Sequence, residues 1–399
     1  MAAFRPAHRA LADAVRARRT RPRPRQGRLL TAPAERHRPT PDHESVRRLR
    51  AHAQALAGGA REASAAAVVR RVFAIQAQDT TAADLGIRVR GRDITARAIR
   101  TAYEDERSIV RNWYMRGTLH IIPSDDARWV SQLLSPRILA ATSRRYRQLG
   151  LGDDLLRRAD RLIRRALATH GPLTRAELTE RLTSLGIPPD GQAPFHLIRH
   201  AALTGILCHG PQRTGEATYV LLDDWLPSTG RIRWEGDSAL AELARRYLAA
   251  CAPATLEDFA AWSGLPITWA RKSWKMLAES GVITEYGALT MLTGRVELPR
   301  SSDTPDVRML PAYDTYLIGY RTREASVPTL HQARVWPGGG VIRPTVIADG
   351  LAMATWTRGP GSRSIQVDTF EPVTHQIERG IDREREAVVG FLRATTGSP

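Results

Sequence analysis

Two glutamines one residue apart, Gln76 and Gln78 in the stretch IQAQD, follow a run of apolar residues that is typical of a buried helix. A buried amide without hydrogen-bond partners destabilises a fold by about 1–3 kcal/mol, so each amide needs partners or a task. If residues 65–78 form one helix, Gln76 lies below Phe73 on the core side and Gln78 lies nearly opposite. Both can face one point only if the helix ends near Ala77 and the chain continues extended. The simpler alternative is that Gln76 satisfies backbone groups and Gln78 is solvated.

The composition indicates a globular protein with a polyanionic partner. The chain has 399 residues, of which 42% are hydrophobic, and a formal net charge of +18. That excess favours nucleic acid or an anionic membrane surface as the partner. We expect no membrane span, because no stretch approaches the roughly 18 consecutive apolar residues that one requires. The first twenty residues lack the apolar region of a secretory signal, and two isolated cysteines favour a reducing cytoplasm.

The first part of the chain, residues 1–42, is a basic, Arg/Pro-rich segment that we predict to be a disordered leader. It carries eleven arginines against three acids, a net charge of +8, so the rest of the chain keeps +10. Three interpretations compete: a basic arm on DNA, a transit-like leader, or a mis-assigned start.

The next part predicts three winged-helix modules, at residues 43–150, 151–230 and 231–295. In the first, three helical patterns precede SIVRNWYMRGTLHIIP, which reads as two strands around a turn at Arg116 and Gly117. The outline then repeats, since RRALATHGPLTRAEL aligns without a gap with RRYLAACAPATLEDF.

The repeat also predicts where helices begin and end. Thr174 and Thr255 would cap second helices, with Glu177 and Asp258 completing capping boxes, and Thr95 would cap a helix of the first module. Glycines 205 and 281 would end the third helices in the left-handed conformation.

Residues 296–399 differ, because apolar and polar residues alternate between turn signals and an amphipathic helix closes the chain. We predict a C-terminal β-barrel-like domain with a closing helix. The fold class is therefore α+β: tandem winged-helix modules followed by this domain.

The chain from about residue 43 to 395 resembles the AlkZ- and YcaQ-type winged-helix DNA glycosylases of bacteria. The resemblance lies in VVRRVFAIQAQD, LGIRVR, RNWYMRGTLHIIP, DDARW, LPAYDTYLIGYRTRE and IRPTVIADGLAMATWTR. These enzymes excise alkylated bases and unhook interstrand crosslinks, often as self-resistance in antibiotic producers. The resemblance implies that Gln76 and Gln78, which match the family's glutamine–apolar–glutamine motif, are catalytic. Asp79 lies one position too late for the family's glutamine–x–aspartate form.

The expected activity is that of a monofunctional glycosylase for N7-alkylated purines, including bulky adducts or crosslinks. N7 alkylation makes the base a cationic leaving group, so neutral amides suffice to position a water at an oxocarbenium-like sugar. No lysine is near for Schiff-base chemistry, and a bulky adduct favours a surface groove over a closed pocket. The open alternatives are a non-catalytic winged-helix DNA-binding protein and a protein that sequesters a reactive antibiotic.

The predicted partner is double-stranded DNA with alkylated bases, without metal, nucleotide or other cofactor, and we expect a monomer in the cytoplasm. The candidate DNA-binding residues are Arg111, Arg116, His120, Arg271, Lys272 and Lys275. For His120 a packed structural role competes, and for Arg111 and Arg116 a solvated surface role. A structural ion pair between Asp314 and Arg321 is expected from AYDTYLIGYR.

Overall fold

The structure is a computed structural model that describes residues 41–226, 234–294, 303–359 and 364–396. The leader predicted at residues 1–42 lies outside the described residues except for its last two. Of these, Asp42 caps the first helix, because its carboxylate accepts the N–H of Ser45 at 2.8 Å.

The first unit alternates helices with three short strands. Its elements are α1 (His43–Ala53), α2 (Ala65–Val72), β1 (Ile75–Gln76), α3 (Thr80–Arg88), α4 (Ala96–Glu104), β2 (Ile109–Trp113), β3 (Leu119–Pro123) and α5 (Ala127–Gln148). The strands form an antiparallel sheet in the order β1-β3-β2, with Gln76 opposite His120 and His120 opposite Asn112. The predicted hairpin around Arg116 and Gly117 is confirmed.

The second unit repeats this order of elements. It comprises α6 (Asp153–His170), β4 (Leu173–Thr174), α7 (Arg175–Leu182), α8 (Ala193–Leu203), β5 (Leu207–Arg213) and β6 (Glu216–Leu221), followed by the short helix α9 (Leu222–Trp225). Its sheet has the order β4-β6-β5, which corresponds to β1-β3-β2 of the first unit.

The third unit has the same outline with a smaller sheet. It comprises α10 (Gly236–Cys251), α11 (Leu256–Ser263), α12 (Ile267–Glu279), β7 (Ile283–Tyr286) and β8 (Leu289–Leu292). A single bridge between Ala254 and Thr290 takes the place of the first strand. The exact domain boundaries stay a prediction.

The predicted helix ends are confirmed. Thr174 and Thr255 each accept a backbone N–H from the residue that completes a reciprocal capping box. Thr95 caps α4 by accepting the N–H of Ala98 at 3.1 Å. Gly205 and Gly281 follow α8 and α12 with φ of 77° and 66°.

The C-terminal region contains an open sheet. Its elements are β9 (Val307–Leu310), the short helices α13 (Thr315–Ile318) and α14 (Gln332–Val335), β10 (Thr345–Ala348), β11 (Leu351–Arg358), β12 (Ile365–Thr369) and the closing helix α15 (His375–Thr396). The order β12-β11-β10-β9 has two edges, so these strands do not close into the predicted barrel. The class is mixed α/β, and none of the described helices has the length and apolar character to cross a membrane.

Two apolar cores hold the first unit in place. One core combines Phe73 and Trp129 of the first unit with Tyr247 and Trp262 of the third. The other joins α2, α4 and the first sheet to the C-terminal sheet and α15. The first sheet is therefore packed against the third unit on one side and the C-terminal region on the other.

A buried ion pair also fixes the first unit, with a partner that differs from the predicted one. The guanidinium of Arg90 donates to both carboxylate oxygens of Asp314, at 2.6 and 2.8 Å, and both side chains are fully buried. The expected pairing of Asp314 with Arg321 was wrong, because both carboxylate oxygens of Asp314 accept from Arg90. Arg321 donates its backbone N–H to Asp258 at 2.8 Å.

Candidate active site

Helix α2 ends before the glutamines. Phe73 and Ala74 have φ of 45° and 82°, which an α-helix does not accept, so the helix stops at Val72. The predicted helix over residues 65–78 was therefore wrong beyond Val72. The apolar spacing was misleading because Phe73 follows the helix and is not part of it. Phe73 is buried because its ring stacks on that of Trp129, with ring centroids 6.2 Å apart.

The glutamines lie on an extended segment. Ile75 and Gln76 form β1, and the N–H of Ala77 donates to the carbonyl of Leu119 at 2.8 Å, which continues the pairing with β3. Side chains of an extended chain alternate between two sides. Ile75 and Ala77 are accordingly buried, whereas Gln76 is half-buried and Gln78 is exposed.

The segment is fixed at both ends and in the middle. Asp79 caps α3 by accepting a backbone N–H of its first turn at 3.0 Å, which gives this residue a structural role. The hydroxyl of Thr315 donates to the carbonyl of Ala74 at 3.4 Å. Nε of Arg111 donates to the carbonyl of Ala77, between the two glutamines, at 2.9 Å.

The two carboxamides meet. Nε2 of Gln76 donates to Oε1 of Gln78 at 2.9 Å, and Nη2 of Arg116 donates to Oε1 of Gln76 at 3.3 Å. Each amide oxygen has two lone pairs, so each keeps one free for a further donor. The glutamine pair, as we call Gln76 and Gln78, is thus oriented by a cation and open to solvent.

Arg116 connects the glutamine pair to the third unit. It occupies the hairpin turn between β2 and β3 with φ of 56°. Its Nη1 donates to the carbonyl of Trp262 in the last turn of α11. Gly264 follows with φ of 77°, and a Cβ there would lie 3.2 Å from the Cα of Arg116, so both the backbone conformation and the close contact favour glycine.

His120 is packed beside the glutamine pair. Directly opposed residues of an antiparallel sheet place their side chains on one face, so His120 shares the face of Gln76 and Asn112. It is 1% exposed, and its Nδ1 lies 2.9 Å from the carbonyl of Thr118. Burial lowers the pKa of His120 to about 3, so the ring is neutral at pH 7 and only weakly basic. Its burial does not suit the predicted DNA contact, and we do not propose one.

Arg111 lies on the opposite face of the sheet. It is 8% exposed and borders a cavity of about 310 Å³ with Asp84, Tyr103 and His209. Burial raises the pKa of Asp84 to about 7 and lowers that of His209 well below its usual range. Arg111 is buried and donates to the carbonyl of Ala77, so it does not suit the predicted phosphate contact. Sequence reasoning missed this supporting role, although strand alternation from Asn112 points to the reverse face.

The three predicted basic residues of α12 lie on the surface. Arg271, Lys272 and Lys275 are exposed. Lys272 pairs with Asp237 at 2.7 Å and Lys275 with Glu279 at 3.8 Å. Exposed pairs of this kind are weak, so either lysine can exchange its partner for a phosphate. Their role in DNA binding stays a prediction.

Comparison with known proteins identifies the class. A family model described as "DNA glycosylase AlkZ-like" matches residues 69–391. The match covers most of the chain, so the protein belongs to the AlkZ-like family of DNA glycosylases and is an enzyme.

Two matches illustrate the similarity. The chain is 28% identical over 315 residues to an interstrand DNA cross-link repair glycosylase of Streptomyces sahachiroi, covering 73% of this chain and 82% of the relative. Its fold is similar to the solved structure of Streptomyces sahachiroi DNA glycosylase AlkZ, with a TM-score of 0.69 and 25% identity. That match covers 88% of this chain and 96% of the other. The prediction of a glycosylase is thereby confirmed over the non-catalytic alternatives.

Proposed function

We propose that this enzyme hydrolyses the N-glycosidic bond of N7-alkylated purines in duplex DNA, including bulky adducts and interstrand crosslinks. The main support is the 2.9 Å hydrogen bond between Gln76 and Gln78. The segment that carries both glutamines is fixed by hydrogen bonds at its two ends and in its middle. His120, which lies opposite Gln76 in the sheet, has a pKa of about 3 and is therefore a weak base. Uncharged amides fit a substrate that is already activated for departure of the base.

The chemistry follows from the free lone pairs of the glutamine pair. One water can donate its two hydrogens to Oε1 of Gln76 and Oε1 of Gln78, which turns its own lone pair toward the sugar. N7 alkylation makes the purine cationic, so the glycosidic bond breaks without protonation of the base by the enzyme. The sugar passes through an oxocarbenium-like state, which the held water captures at C1′ while a proton passes to solvent. An unmodified base is a poor leaving group, so the same site leaves it intact.

We propose that the glutamine pair opens onto a DNA-binding surface formed by the repeated units. We propose that these units are winged helices and that α12, with Arg271, Lys272 and Lys275, contacts DNA phosphates. The exposed position of Gln78 favours a groove that accepts a partly displaced nucleotide, because a bulky adduct does not fit an enclosed pocket. The formal net charge of +18 supports such a surface. We further propose that the enzyme acts as a monomer in the cytoplasm.

The test uses three defined duplexes: one with a single N7-methylguanine, one with a bulky N7 adduct and one unmodified. Freed base is detected by mass. We expect release from both alkylated duplexes and none from the unmodified one. The DNA strand should stay uncut until treated with alkali, because the glutamine pair supplies no amine for a β-lyase step. Absence of release from every N7-adducted duplex, with DNA binding retained, would contradict the proposal.

Crosslink processing needs its own substrate. The relative named as a crosslink-repair glycosylase motivates the test. A duplex with one N7–N7 interstrand crosslink should be converted to separable strands on denaturing gels. If N7-methylguanine is released but the crosslink persists, the activity is restricted to monoadducts and the crosslink part of the proposal is wrong.

A further inference from the structure

A cavity of about 230 Å³ is lined in part by Arg116, the residue that also donates to Gln76. Three arginines border it: Arg116 from the β2–β3 turn, Arg137 from α5 and Arg199 from α8. We call it the arginine cavity. The rest of its lining contains no acidic residue: Leu134, Ile138, Ala141, Thr142, Ser263, Gly264 and Leu265. Its net charge is therefore strongly positive.

The three guanidinium groups contact only neutral groups of the described residues. Arg199 donates to the hydroxyl of Thr142 at 3.2 Å and to the carbonyl of Gly117 at 3.1 Å. Arg137 is exposed and lies over the ring of Trp269, 5.5 Å from its centroid. The Arg116 guanidinium donates to a backbone carbonyl and to Gln76. Three guanidinium cations that line one cavity, without a carboxylate partner among the described residues, favour the binding of an anion between them.

Two glycines lie at the close contacts between the elements that border the cavity. A Cβ on Gly117 would lie 2.5 Å from Nη2 of Arg199, and one on Gly264 would lie 3.2 Å from the backbone of Arg116. Both have positive φ, at 69° and 77°. The cavity is thus formed where the turn of the first unit, the third helix of the second and the helix–turn–helix of the third meet.

We propose that the arginine cavity binds one backbone phosphate of the damaged strand, next to the displaced nucleotide. This inference rests on the proposed function and adds to it the group that sets the sugar's position. A guanidinium matches the oxygens of a phosphate through paired hydrogen bonds, which favours arginine over a point charge. Arg116 contacts the cavity and Gln76 at once, so the phosphate is held at a fixed position relative to the glutamine pair. Arg137 and Arg199 are accordingly positioning residues.

The first experiment measures DNA affinity and single-turnover base release for Arg137→Gln and Arg199→Gln. We expect each to weaken binding about 10-fold and to lower the slope of log affinity against log salt concentration by about 1. The single-turnover rate constant at saturating DNA should also fall, by about 10-fold, because the phosphate no longer fixes the sugar relative to the glutamine pair. Arg137→Lys should recover part of the affinity, because lysine keeps the positive charge but cannot donate the paired hydrogen bonds of a guanidinium.

The matched control is Arg145→Gln, two turns further along α5. Arg145 donates to Gln192 and Gln148 and does not border the cavity. The same loss of charge there should leave affinity within about 2-fold of wild type. If Arg145→Gln weakens binding as much as Arg137→Gln, the effect is general electrostatic attraction and the proposal is wrong. Arg137 makes no hydrogen bond to the described residues, so its variant should fold even if Arg199→Gln does not.

The second experiment locates the phosphate on the DNA. Neutral methylphosphonates replace single phosphates on either side of an N7-methylguanine. One position adjacent to the lesion should weaken binding by wild type more than about 10-fold and binding by Arg137→Gln clearly less, because the variant has already lost one of the contacts to that phosphate. Equal losses in wild type and variant at every position would overturn the proposal. Base release by wild type from the unsubstituted duplex tests the proposed function separately.

Discussion

Strands β1 and β4 occupy equivalent positions in the sheets of the first and second units, but the residues at their ends do different things. In the second unit, Thr174 pairs with Thr218 and directly caps α7 through a capping box. In the third, Thr255 follows the Ala254 bridge and caps α11 in the same way. In both units the capping threonine immediately precedes the helix and follows the paired residue, or is itself paired.

In the first unit the corresponding position is Gln76, and the cap comes three residues later at Asp79. The two residues between Gln76 and Asp79 continue the extended chain. Gln78 therefore lies on the same side as Gln76, and the two amides form a hydrogen bond. A position used for helix capping in two units is thus occupied in the first unit by one of the two amides that we propose as the catalytic site. It also separates residues that should govern stability from those that should govern catalysis.

The largest stability effect should come from the Arg90–Asp314 ion pair, the anchor of the first unit. No fully buried ion pair like it lies in the described parts of the other units. Asp314→Ala leaves the fully buried guanidinium of Arg90 without its carboxylate, which should destabilise the fold by about 3–5 kcal/mol. Denaturant unfolding measures this. Asp314→Asn, which keeps one acceptor, should lose less, and equal stability of Asp314→Ala and wild type would show that the anchor is unimportant.

A smaller effect should appear in the pH dependence of stability. The folded state holds His120 neutral with a pKa of about 3, whereas the unfolded chain takes up a proton near pH 6.5. Stability contributed by this group is therefore present above pH 6.5 and lost as pH falls toward 3, by about 2 kcal/mol at pH 5. Unfolding free energies at pH 5 and 7 measure this. His120→Gln should have a shallower pH dependence, and an unchanged slope would exclude His120 as the cause.

The smallest effect should come from the caps of the other two units. Thr174→Ala and Thr255→Ala should each cost about 1 kcal/mol of stability, because each removes one helix-cap hydrogen bond. Base release per folded molecule should stay at the wild-type rate. A rate that falls in proportion to the cap loss would mean that the units are not separable into structural and catalytic ones.

Local signals were predictable from sequence, and contacts across units were not. Thr174, Thr255 and Thr95 act on groups within three residues, so spacing alone located their caps. The partner of Asp314 lies 224 residues away, at Arg90, and no local pattern indicates it.

The candidate site was predictable only in part. The resemblance pointed to Gln76 and Gln78, but their meeting depends on positive φ at Phe73 and Ala74, which neither residue type favours. It also depends on pairing with β3. Arg137 and Arg199 were missed because they come from separate helices and converge only in the folded chain.

The most direct test is single-turnover base release from an N7-methylguanine duplex by the double variant Gln76→Ala, Gln78→Ala. We predict a fall of at least about 100-fold in rate, with duplex affinity and melting temperature close to wild type. Gln366→Ala, which removes an exposed glutamine on β12, serves as control and should release base at the wild-type rate. A double variant that releases base as fast as wild type would contradict the account.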